Sequence, residues 1–481
     1  MIGKTRLLAL TAALCLLLSL NGCAFIHMKP TEPDTTDTLL ADAPDLYLEA
    51  VAYLQSQENI LYDLNYLHTV DDDGIIFTAQ SSQSLLYRGM GTENFQGYVS
   101  ETLSYGSYTT QISEVYNDGV VYSTVYGNKF SANQTPEAFL SRYPAVTLLT
   151  ASLYESHLPK ITDEGILMTF TDPLSAEPWL DISGGTLKNA YGTVLLDGNR
   201  ITKSTYTATY SKDDVTVTCT YTQTFRDAGN ILISLPSNTD AYTKITNVDA
   251  PRRLEQALGF LQQSTRLTST IAENIYSEAA GFTMEHQTEL NLYGSGVDQM
   301  FRVHQTVNQA NHNAGGSGST KITEELFRDG VYTVSTDGAD PVTDSSVSHR
   351  VMESYAQGLL TDAMLDLSYI ADVQCTEENG VLLLQFTCTP KLGEAYCREL
   401  NYTLFNDEAF LTNMSTAYET TTMAFYVGLD TFSGLPVSIG IHYVGKHTIN
   451  KIVYELNTKV DQTFDLSCPN AYDSITKEAE Q

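Results

Sequence analysis

The stretch Glu114-Val115-Tyr116-Asn117-Asp118-Gly119-Val120 returns 211 residues later as Glu325-Leu326-Phe327-Arg328-Asp329-Gly330-Val331. In each copy a segment with alternating apolar residues ends at an Asp-Gly pair. This dipeptide is typical of a two-residue β-hairpin turn, because glycine readily adopts positive φ. The stretch therefore predicts the same hairpin twice in one chain.

Other segments repeat in the same order on either side of this hairpin. Asp42-Ala43-Pro44 returns as Asp249-Ala250-Pro251 after 207 residues, and Val194 to Asp197 returns as Val427 to Asp430 after 233. The offset only grows along the chain, as insertions in loops of the second copy would require. So long a period excludes a solenoid of short repeats. We expect two homologous domains, followed by a polar tail: 42–246, 247–466 and 467–481.

Each copy is predicted to open with an amphipathic helix. In the first copy Asp45 is a candidate N-cap. Apolar stripes at helical spacing follow in both copies: Leu46, Ala50, Tyr53 and Leu54, then Leu254, Ala257, Leu258 and Leu261. Such stripes favour packing on a sheet over a role as a ligand-contacting lid. A middle helix is expected to begin at Thr135 and Pro136 in the first copy, and to cover residues 348–365 in the second.

Strands are predicted for the rest of each copy. Val215, Val217, Cys219 and Tyr221 alternate with threonines, and residues 452–460 alternate in the same way. A period of two is typical of a half-buried strand. Turn pairs with glycine separate such segments: Asp73-Gly74, Asp118-Gly119, Asp197-Gly198, Asp329-Gly330 and Asn379-Gly380. Together these elements predict an α+β fold dominated by antiparallel sheet.

The N-terminus predicts a secreted and lipid-anchored protein. Lys4 and Arg6 precede an almost unbroken apolar run over 7–20, which has the order of a secretory signal and is short for a bilayer span. The run ends in Leu20-Asn21-Gly22-Cys23, which resembles the lipobox of bacterial lipoproteins, although Asn21 is a less usual occupant of its position. The resemblance implies cleavage before Cys23 and a diacylglycerol thioether on its sulfur. An ordinary signal peptide with an incidental cysteine is the alternative.

The residues around that cysteine complete the domain plan. Residues 1–22 are expected to be a signal peptide, and residues 23–41 a lipidated cysteine with a polar, flexible tether. Each acyl CH₂ group buried in a membrane contributes about 0.8 kcal/mol, so several chains on Cys23 would anchor the protein durably.

A lipobox, an N-terminal amphipathic helix, a long antiparallel meander and a mid-domain helix together resemble the LolA/LppX superfamily of lipoprotein carriers. The similarity covers nearly all of residues 42–466, once per copy. It implies two tandem antiparallel incomplete β-barrels, or half-barrels, each covered by helices that enclose lipids or acyl chains. Because it depends on the order of elements, it identifies no ligand-binding residue.

The charge balance excludes one class of partner. The chain has 58 acidic and 26 basic residues, for a net charge of −32, and loss of the signal peptide deepens this to −34. Nucleic-acid binding needs clusters of basic residues that neutralise phosphates, and the sequence has no such cluster. We therefore expect no nucleic-acid partner.

No catalytic or metal-binding motif stands out. The cysteines after Cys23 are odd in number and have no CxxC spacing: Cys219, Cys375, Cys388, Cys397 and Cys468. This argues against a zinc site and a disulfide framework, although a bridge between Cys388 and Cys397 stays open. The histidines lack ligand spacing. A run of tyrosines over 98–126 favours cross-strand packing over a binding cleft. We expect no enzyme activity, no metal and no cofactor.

These observations predict an extracytoplasmic protein held on the cell membrane by Cys23. Its expected work is to bind or carry a hydrophobic ligand, such as a lipid or a lipoprotein's acyl chain, between sheet and helices. The alternative is an interaction or scaffold module that contacts envelope proteins and has no small ligand.

Overall fold

A computed structural model describes the following residues of the chain: 43–106, 108–143, 160–163, 165–170, 184–229, 232–277, 281–311, 317–352, 366–405, 416–449, 451–468 and 470–476. The predicted signal peptide, tether and lipobox, with Leu20, Asn21, Gly22 and Cys23, lie outside these residues. Most of the helix expected over 348–365 does so as well, and only its start, at residues 349–352, is described as helix.

The first sheet has twelve strands. Their bounds are β1 (Asn59–Asp72), β2 (Ile75–Arg88), β3 (Gln96–Tyr105), β4 (Tyr108–Asn117), β5 (Val120–Val125), β6 (Asn128–Asn133), β7 (Lys160–Thr162), β8 (Gly165–Phe170), β9 (Thr186–Asp197), β10 (Arg200–Lys212), β11 (Val215–Arg226) and β12 (Thr243–Lys244). Their order across the sheet is β12-β6-β5-β4-β3-β2-β1-β11-β10-β9-β8-β7.

The second sheet has eleven strands. Their bounds are β13 (Arg266–Ser277), β14 (Phe282–Tyr293), β15 (Met300–Asn311), β16 (Ser317–Arg328), β17 (Val331–Thr336), β18 (Val342–Asp344), β19 (Ile370–Glu378), β20 (Val381–Cys388), β21 (Thr416–Asp430), β22 (Pro436–Ile449) and β23 (Ile452–Asp465). Their order is β18-β17-β16-β15-β14-β13-β23-β22-β21-β20-β19.

Both sheets follow one connection order. The first strand of each sheet pairs with the last strand of its C-terminal meander, β1 with β11 and β13 with β23, so an N-terminal and a C-terminal meander meet in the middle of the sheet. The repeated hairpins also match, because Asp118-Gly119 joins β4 to β5 and Asp329-Gly330 joins β16 to β17. All strand pairs of the described residues are antiparallel except the two-residue pairing of β12 with β6, and in the described part of the chain neither sheet closes on itself.

The Asp-Gly and Asn-Gly turns have the predicted backbone. In four of the five turns both residues have positive φ, as at Asp118 (50°) and Gly119 (76°) or Asn379 (53°) and Gly380 (77°). This is the requirement of a type I′ hairpin turn. The fold is thus mostly β, with two large antiparallel sheets and a smaller helical share than the α+β pattern predicts.

Besides the helical start at 349–352, five α-helices accompany the sheets within the described residues: α1 (Ala43–Gln55), α2 (Pro136–Arg142), α3 (Ala250–Gln263), α4 (Pro390–Phe405) and α5 (Ala471–Thr476). Helix α2 begins as predicted, since the Thr135 hydroxyl accepts a hydrogen bond from the Ala138 amide at 3.2 Å. Helix α1 begins before Asp45, which lies in its first turn, so the prediction of Asp45 as the cap was wrong. The early start agrees with Pro44, whose fixed φ suits the first helical turn. None of the helices in the described residues combines the length and apolar character needed to cross a bilayer.

Helix α3 belongs to the second copy in sequence but also packs on the first sheet. It contacts β2, β3 and β4 of the first sheet and β22 of the second. Its buried residues lie on all sides of the helix, which is the pattern of a helix enclosed by protein. Its apolar stripe does pack on a sheet, as predicted, and the described residues from Asp45 onwards belong to one compact unit.

Candidate functional site

The side of β1–β4 that contacts α3 is called here the inner face of the first sheet. Alternate residues of each strand point to it and are buried, among them Leu64 in β1, Leu85 in β2 and Leu103 in β3. Two carboxylates lie among these apolar residues, Glu101 and Glu114, and the side chains of both are 0% exposed. A buried charge is costly unless it is paired, so their partners define the site.

Glu101 is held by an arginine from α3. Arg252 donates to it twice, from Nε at 2.9 Å and from Nη2 at 2.7 Å. The Ser81 hydroxyl and the Gln83 amide donate to the same carboxylate at 2.6 and 3.1 Å. Residues 151 positions apart therefore form one charge-assisted pair with two further hydrogen bonds.

Glu114 is held by a second arginine, from α2. Arg142 donates from Nη2 at 2.6 Å and from Nη1 at 3.2 Å, and the Ser123 hydroxyl donates at 3.2 Å. Arg142 also lies 3.9 Å from Asp249, which pairs with Arg253 at 2.6 Å. The result is a chain of charged groups from α2 through β4 to the start of α3.

These pairings change the acidity of the carboxyl groups. Burial alone would raise the pKa of Glu101, but the Arg252 guanidinium and the hydrogen bonds from Ser81 and Gln83 lower it below the ordinary value. Burial would likewise raise the pKa of Asp249, but the nearby arginines lower it to about 2. Both carboxylates are therefore ionised at neutral pH, and the cluster acts as a fixed electrostatic joint between the copies.

Helix α3 fits the inner face closely beside this cluster. A Cβ added at Gly259 would lie 2.4 Å from Cγ of Tyr105, so only glycine permits this approach. Phe260 packs edge-on against Phe77 and Tyr105, with ring centroids 6.2 and 5.4 Å apart. Gln263 donates to the Thr78 carbonyl and accepts from the Thr78 amide, each at 2.9 Å. Side chains of α3 thus fill this part of the face, where the half-barrel resemblance predicts room for a ligand.

A second polar cluster lies further along the same face. The Nδ1 atom of His68 is 2.8 Å from the Tyr66 hydroxyl and 3.5 Å from the Cys219 thiol, and Nε2 is 3.1 Å from the Ser433 carbonyl of the second copy. Burial lowers the pKa of His68 and raises that of Cys219 to about 11. A thiol that remains protonated is a poor nucleophile. The cluster therefore joins the two copies and does not resemble an activated cysteine site.

The matching face of the second sheet is more open. The sequence repeat matches Glu114 with Glu325. Strand register places Glu114 in one cross-strand row with Tyr62, Leu85 and Val99. It places Glu325 in the corresponding row of the second sheet, with Ser269, Leu290 and Val303. Further along the strands on the same face, three positions of the first sheet are only 6%, 1% and 3% exposed: Leu64 and Glu101, two residues along, and Leu103, four residues along. Their counterparts, Ile271, Gln305 and Val307, are half-buried.

This open face of the second sheet mixes apolar and polar groups. His286 lies 3.4 Å from a carboxylate oxygen of Glu273, and its other ring nitrogen lies 3.2 Å from the Thr288 hydroxyl. Val307 follows in the same cross-strand row, and the exposed Lys321 pairs with it. We call β13–β16 on this side, with Glu273, His286, Val307 and Lys321, the open face.

The other predicted site residues are placed as follows. The described cysteines Cys219, Cys375, Cys388, Cys397 and Cys468 are free thiols, so the bridge left open between Cys388 and Cys397 is not formed. Among the tyrosines, Tyr105 and Tyr116 are buried in the first sheet, which agrees with packing, whereas Tyr126 is 67% exposed at a turn. Within the described residues, no three His, Cys, Asp or Glu side chains come together as a metal-binding group.

Sequence reasoning missed the joint formed by α3 and the charged cluster. One signal was available, because Gly259 and Arg252 lie on the helix opposite its apolar stripe, and Glu114 recurs between copies. Their partners could not be identified, since pairs such as Arg252 with Glu101 leave no trace in a single sequence.

Comparison with known proteins adds little. The chain matches no protein-family model and no curated protein. Among solved structures, LprF from Mycobacterium bovis is 10% identical with a TM-score of 0.24, over 41% of this chain and 97% of that protein. OccK11 (OpdR) from Pseudomonas aeruginosa is 7% identical with a TM-score of 0.11, over 84% of this chain and 95% of that protein. At such scores the likeness carries no argument about this chain.

Proposed function

We propose that this chain is a lipid-anchored, extracytoplasmic, non-enzymatic protein of two tandem half-barrel copies, and that its second copy binds a protein partner through the open face. The carrying observation is the contrast between the two sheets. A helix covers the face of the first sheet, while three matching positions of the second sheet, Ile271, Gln305 and Val307, stay half-buried, although Thr288 between them is 4% exposed. The sequence Leu20-Asn21-Gly22-Cys23 supports the anchor.

The chemistry of the open face fits a peptide surface. Its row Glu273, His286, Val307 and Lys321 offers an acceptor, a ring that can donate or accept, an apolar contact and a cation. The matched face of the first sheet binds α3 through the same mixture, with Glu101 and Thr78 beside Phe77. A helix is therefore the kind of partner that this surface fits.

The test is site-specific cross-linking on intact membranes. A photoreactive phenylalanine analogue placed at Lys321 on the open face is expected to form an adduct with a distinct protein band. The matched control carries the same analogue at Lys391, which is exposed on α4, outside the open face. Equal adducts at both positions, or no adduct at Lys321, would argue against a binding face here.

The second candidate is carriage of a lipid or acyl chain. It is supported by three half-buried apolar residues: Ile271 and Val307 on the open face, and Val460 beside it in β23. Against it stands the cost of placing an acyl chain beside Glu273 and Lys321, whose charges would lose water. Native mass spectrometry of the full chain in detergent distinguishes the two candidates.

A bound lipid mass supports carriage if Ile271→Glu removes it and Ile76→Glu retains it, because Ile76 is 61% exposed on the first sheet. Complete absence of bound lipid would contradict carriage and leave the protein-binding proposal in place.

A further inference from the structure

We infer that the partner of the open face is helix α1 of a second molecule of this protein. This contact would link molecules head to tail. This inference rests on the proposed function and names the occupant of the same surface. A joint of this kind is already present within one chain, where helix α3 at the start of the second copy lies on the sheet of the first copy.

The joint within the chain provides the template. Helix α3 opens the second copy and lies on the inner face of the first sheet, where Arg252, Glu255 and Gly259 meet that sheet. Arg252 pairs with Glu101, Glu255 accepts a hydrogen bond from Tyr108, and Gly259 lies against Tyr105. A helix that opens a copy therefore has a defined seat on the neighbouring sheet.

Helix α1 is the counterpart of α3 in the repeat. The constant offset of 207 residues aligns α1 with α3 position by position. The positions equivalent to Leu254, Ala257 and Leu261 are buried in α1 as well, namely Tyr47, Ala50 and Leu54. Both helices thus use the same stripe to pack into their own copy.

The stripe of α1 equivalent to the docking stripe of α3 faces outward. The counterparts of Arg252, Glu255 and Gly259 are Asp45, Leu48 and Ala52, and all three are exposed. Leu48 is 49% exposed and offers an apolar contact on this stripe. Ala52 stands where α3 needs a small residue for close approach. Helix α1 therefore exposes the stripe that corresponds to the surface of α3 in contact with the first sheet.

The two surfaces complement each other. Leu48 takes the position of Glu255 and would therefore lie over Ser319, the counterpart of Tyr108, two residues along β16 from Lys321 and next to the row of Val307. Asp45 and Glu49 on the exposed side of α1 give it a negative edge, and Lys321 provides a positive charge on the open face. The opposite charges favour this orientation, although surface ion pairs contribute little affinity by themselves.

The symmetry of the contact decides what it builds. A helix of one chain on the sheet of the next chain is a heterologous contact. Such a contact propagates from chain to chain unless the rotation between successive chains closes into a ring. Each chain would provide one helix, α1, and one open face that receives the helix of the next chain. Oligomers of increasing length, or one closed ring, are therefore expected, and not a single two-fold dimer.

The experiment places the photoreactive phenylalanine analogue at Leu48 in the full-length chain on membranes. The expected product is an adduct of twice the chain mass, and peptide mapping should place the cross-link within residues 281–328. In a Lys321→Glu background the yield should fall severalfold, because the charge reversal turns the attraction for Asp45 and Glu49 into repulsion. The control Lys459→Glu, on an exposed residue of β23 that points away from the open face, should leave the yield unchanged.

Two results would overturn the inference. One is an absence of double-mass adduct from Leu48 while the analogue at Lys321 still captures a different protein. That outcome retains the proposed function and rejects self-docking. The other is a double-mass adduct whose cross-link maps outside the open face. If neither position captures anything, both the inference and the proposed function fail together. Leu48 and Lys321 are exposed, so these changes should not impair folding, and circular dichroism checks this.

Discussion

The pair of Arg252 with Glu101 gives the sharpest prediction about stability. Arg252→Met keeps the packing of the arginine stem but removes the guanidinium, and leaves a carboxylate whose side chain is 0% exposed with only Ser81 and Gln83 as donors. Breaking a buried ion pair by removing one partner costs about 3–5 kcal/mol, because the remaining charge is uncompensated. We expect the joint between α3 and the first sheet to weaken by that amount.

Hydrogen exchange measured by mass spectrometry is the suitable assay, because a chain with two large sheets need not unfold in one transition. A loss of about 3–5 kcal/mol corresponds to exchange roughly a hundredfold to several thousandfold faster in peptides from β2, β3 and α3. The matched control is Arg253→Met, one residue away. Arg253 is 45% exposed and pairs with Asp249 at the helix surface, so its loss should cost less than about 1 kcal/mol.

The stability lost in Arg252→Met should also depend on pH. The pKa of Glu101 is lowered in the folded chain, so the pair contributes its stability above the ordinary value of 4.5 and loses it as the pH falls through the lowered pKa. The difference between the native chain and Arg252→Met should therefore be fully present at pH 7 and shrink as the pH falls below 4.5. The double variant Glu101→Gln with Arg252→Met should recover most of the loss. A deficit below about 1 kcal/mol at pH 7, or one that does not change with pH, would refute the reasoning.

Three further predictions follow from the same structure. Gly259→Val should weaken the seat of α3 by about 1–3 kcal/mol by overpacking against Tyr105, whereas Ala52→Val at the matching exposed position of α1 should change the thermal midpoint little. Burial lowers the pKa of His447 to about 4 from 6.5, so its neutral form supports the second sheet above pH 6.5 and loses this support as the pH falls towards 4. His447→Gln should therefore reduce the fall in the thermal midpoint between pH 7 and 4, and an unchanged fall would contradict this. Cys23→Ser should move the protein from the detergent phase to the aqueous phase on phase partitioning and abolish the acyl mass on the mature N-terminus, and unchanged partitioning would contradict the predicted anchor.

Much of the strand plan follows from local chemistry. Asp-Gly and Asn-Gly pairs demand positive φ, so turns such as Asp118-Gly119 are readable from the sequence and occur where predicted. Alternation along residues 215–222 likewise predicts β11 and the inward side of Cys219. These features depend on two or three neighbouring residues, which is the range over which a single sequence is informative.

The candidate site depends on contacts between residues that are distant in the sequence. Glu114 recurs at Glu325, and the hairpin that follows is sufficient reason for an acidic residue there, so the sequence alone does not indicate its buried ion pair. In the structure Arg142 reaches Glu114 from the middle helix, whereas the hydroxyl of Tyr332 donates to Glu325 at 2.8 Å. The same position has different partners in the two copies. The helix stripe with Leu254 predicts one packing surface, and nothing local indicates that the helix has two.

The pairing of β1 with β11 and the seat of α3 on β3 together set an order of events during synthesis of the chain. The first sheet cannot complete its central pair until residue 226 has emerged, and Glu101 has no cation from α3 until Arg252 follows. Contacts so distant along the chain fold slowly and leave partly formed sheets exposed to aggregation. The N-terminal copy therefore matures only after the C-terminal copy has begun to appear, and a chain cut at residue 246 would emerge with a carboxylate in an uncovered apolar face. Synthesis of the second copy therefore completes the folding of the first.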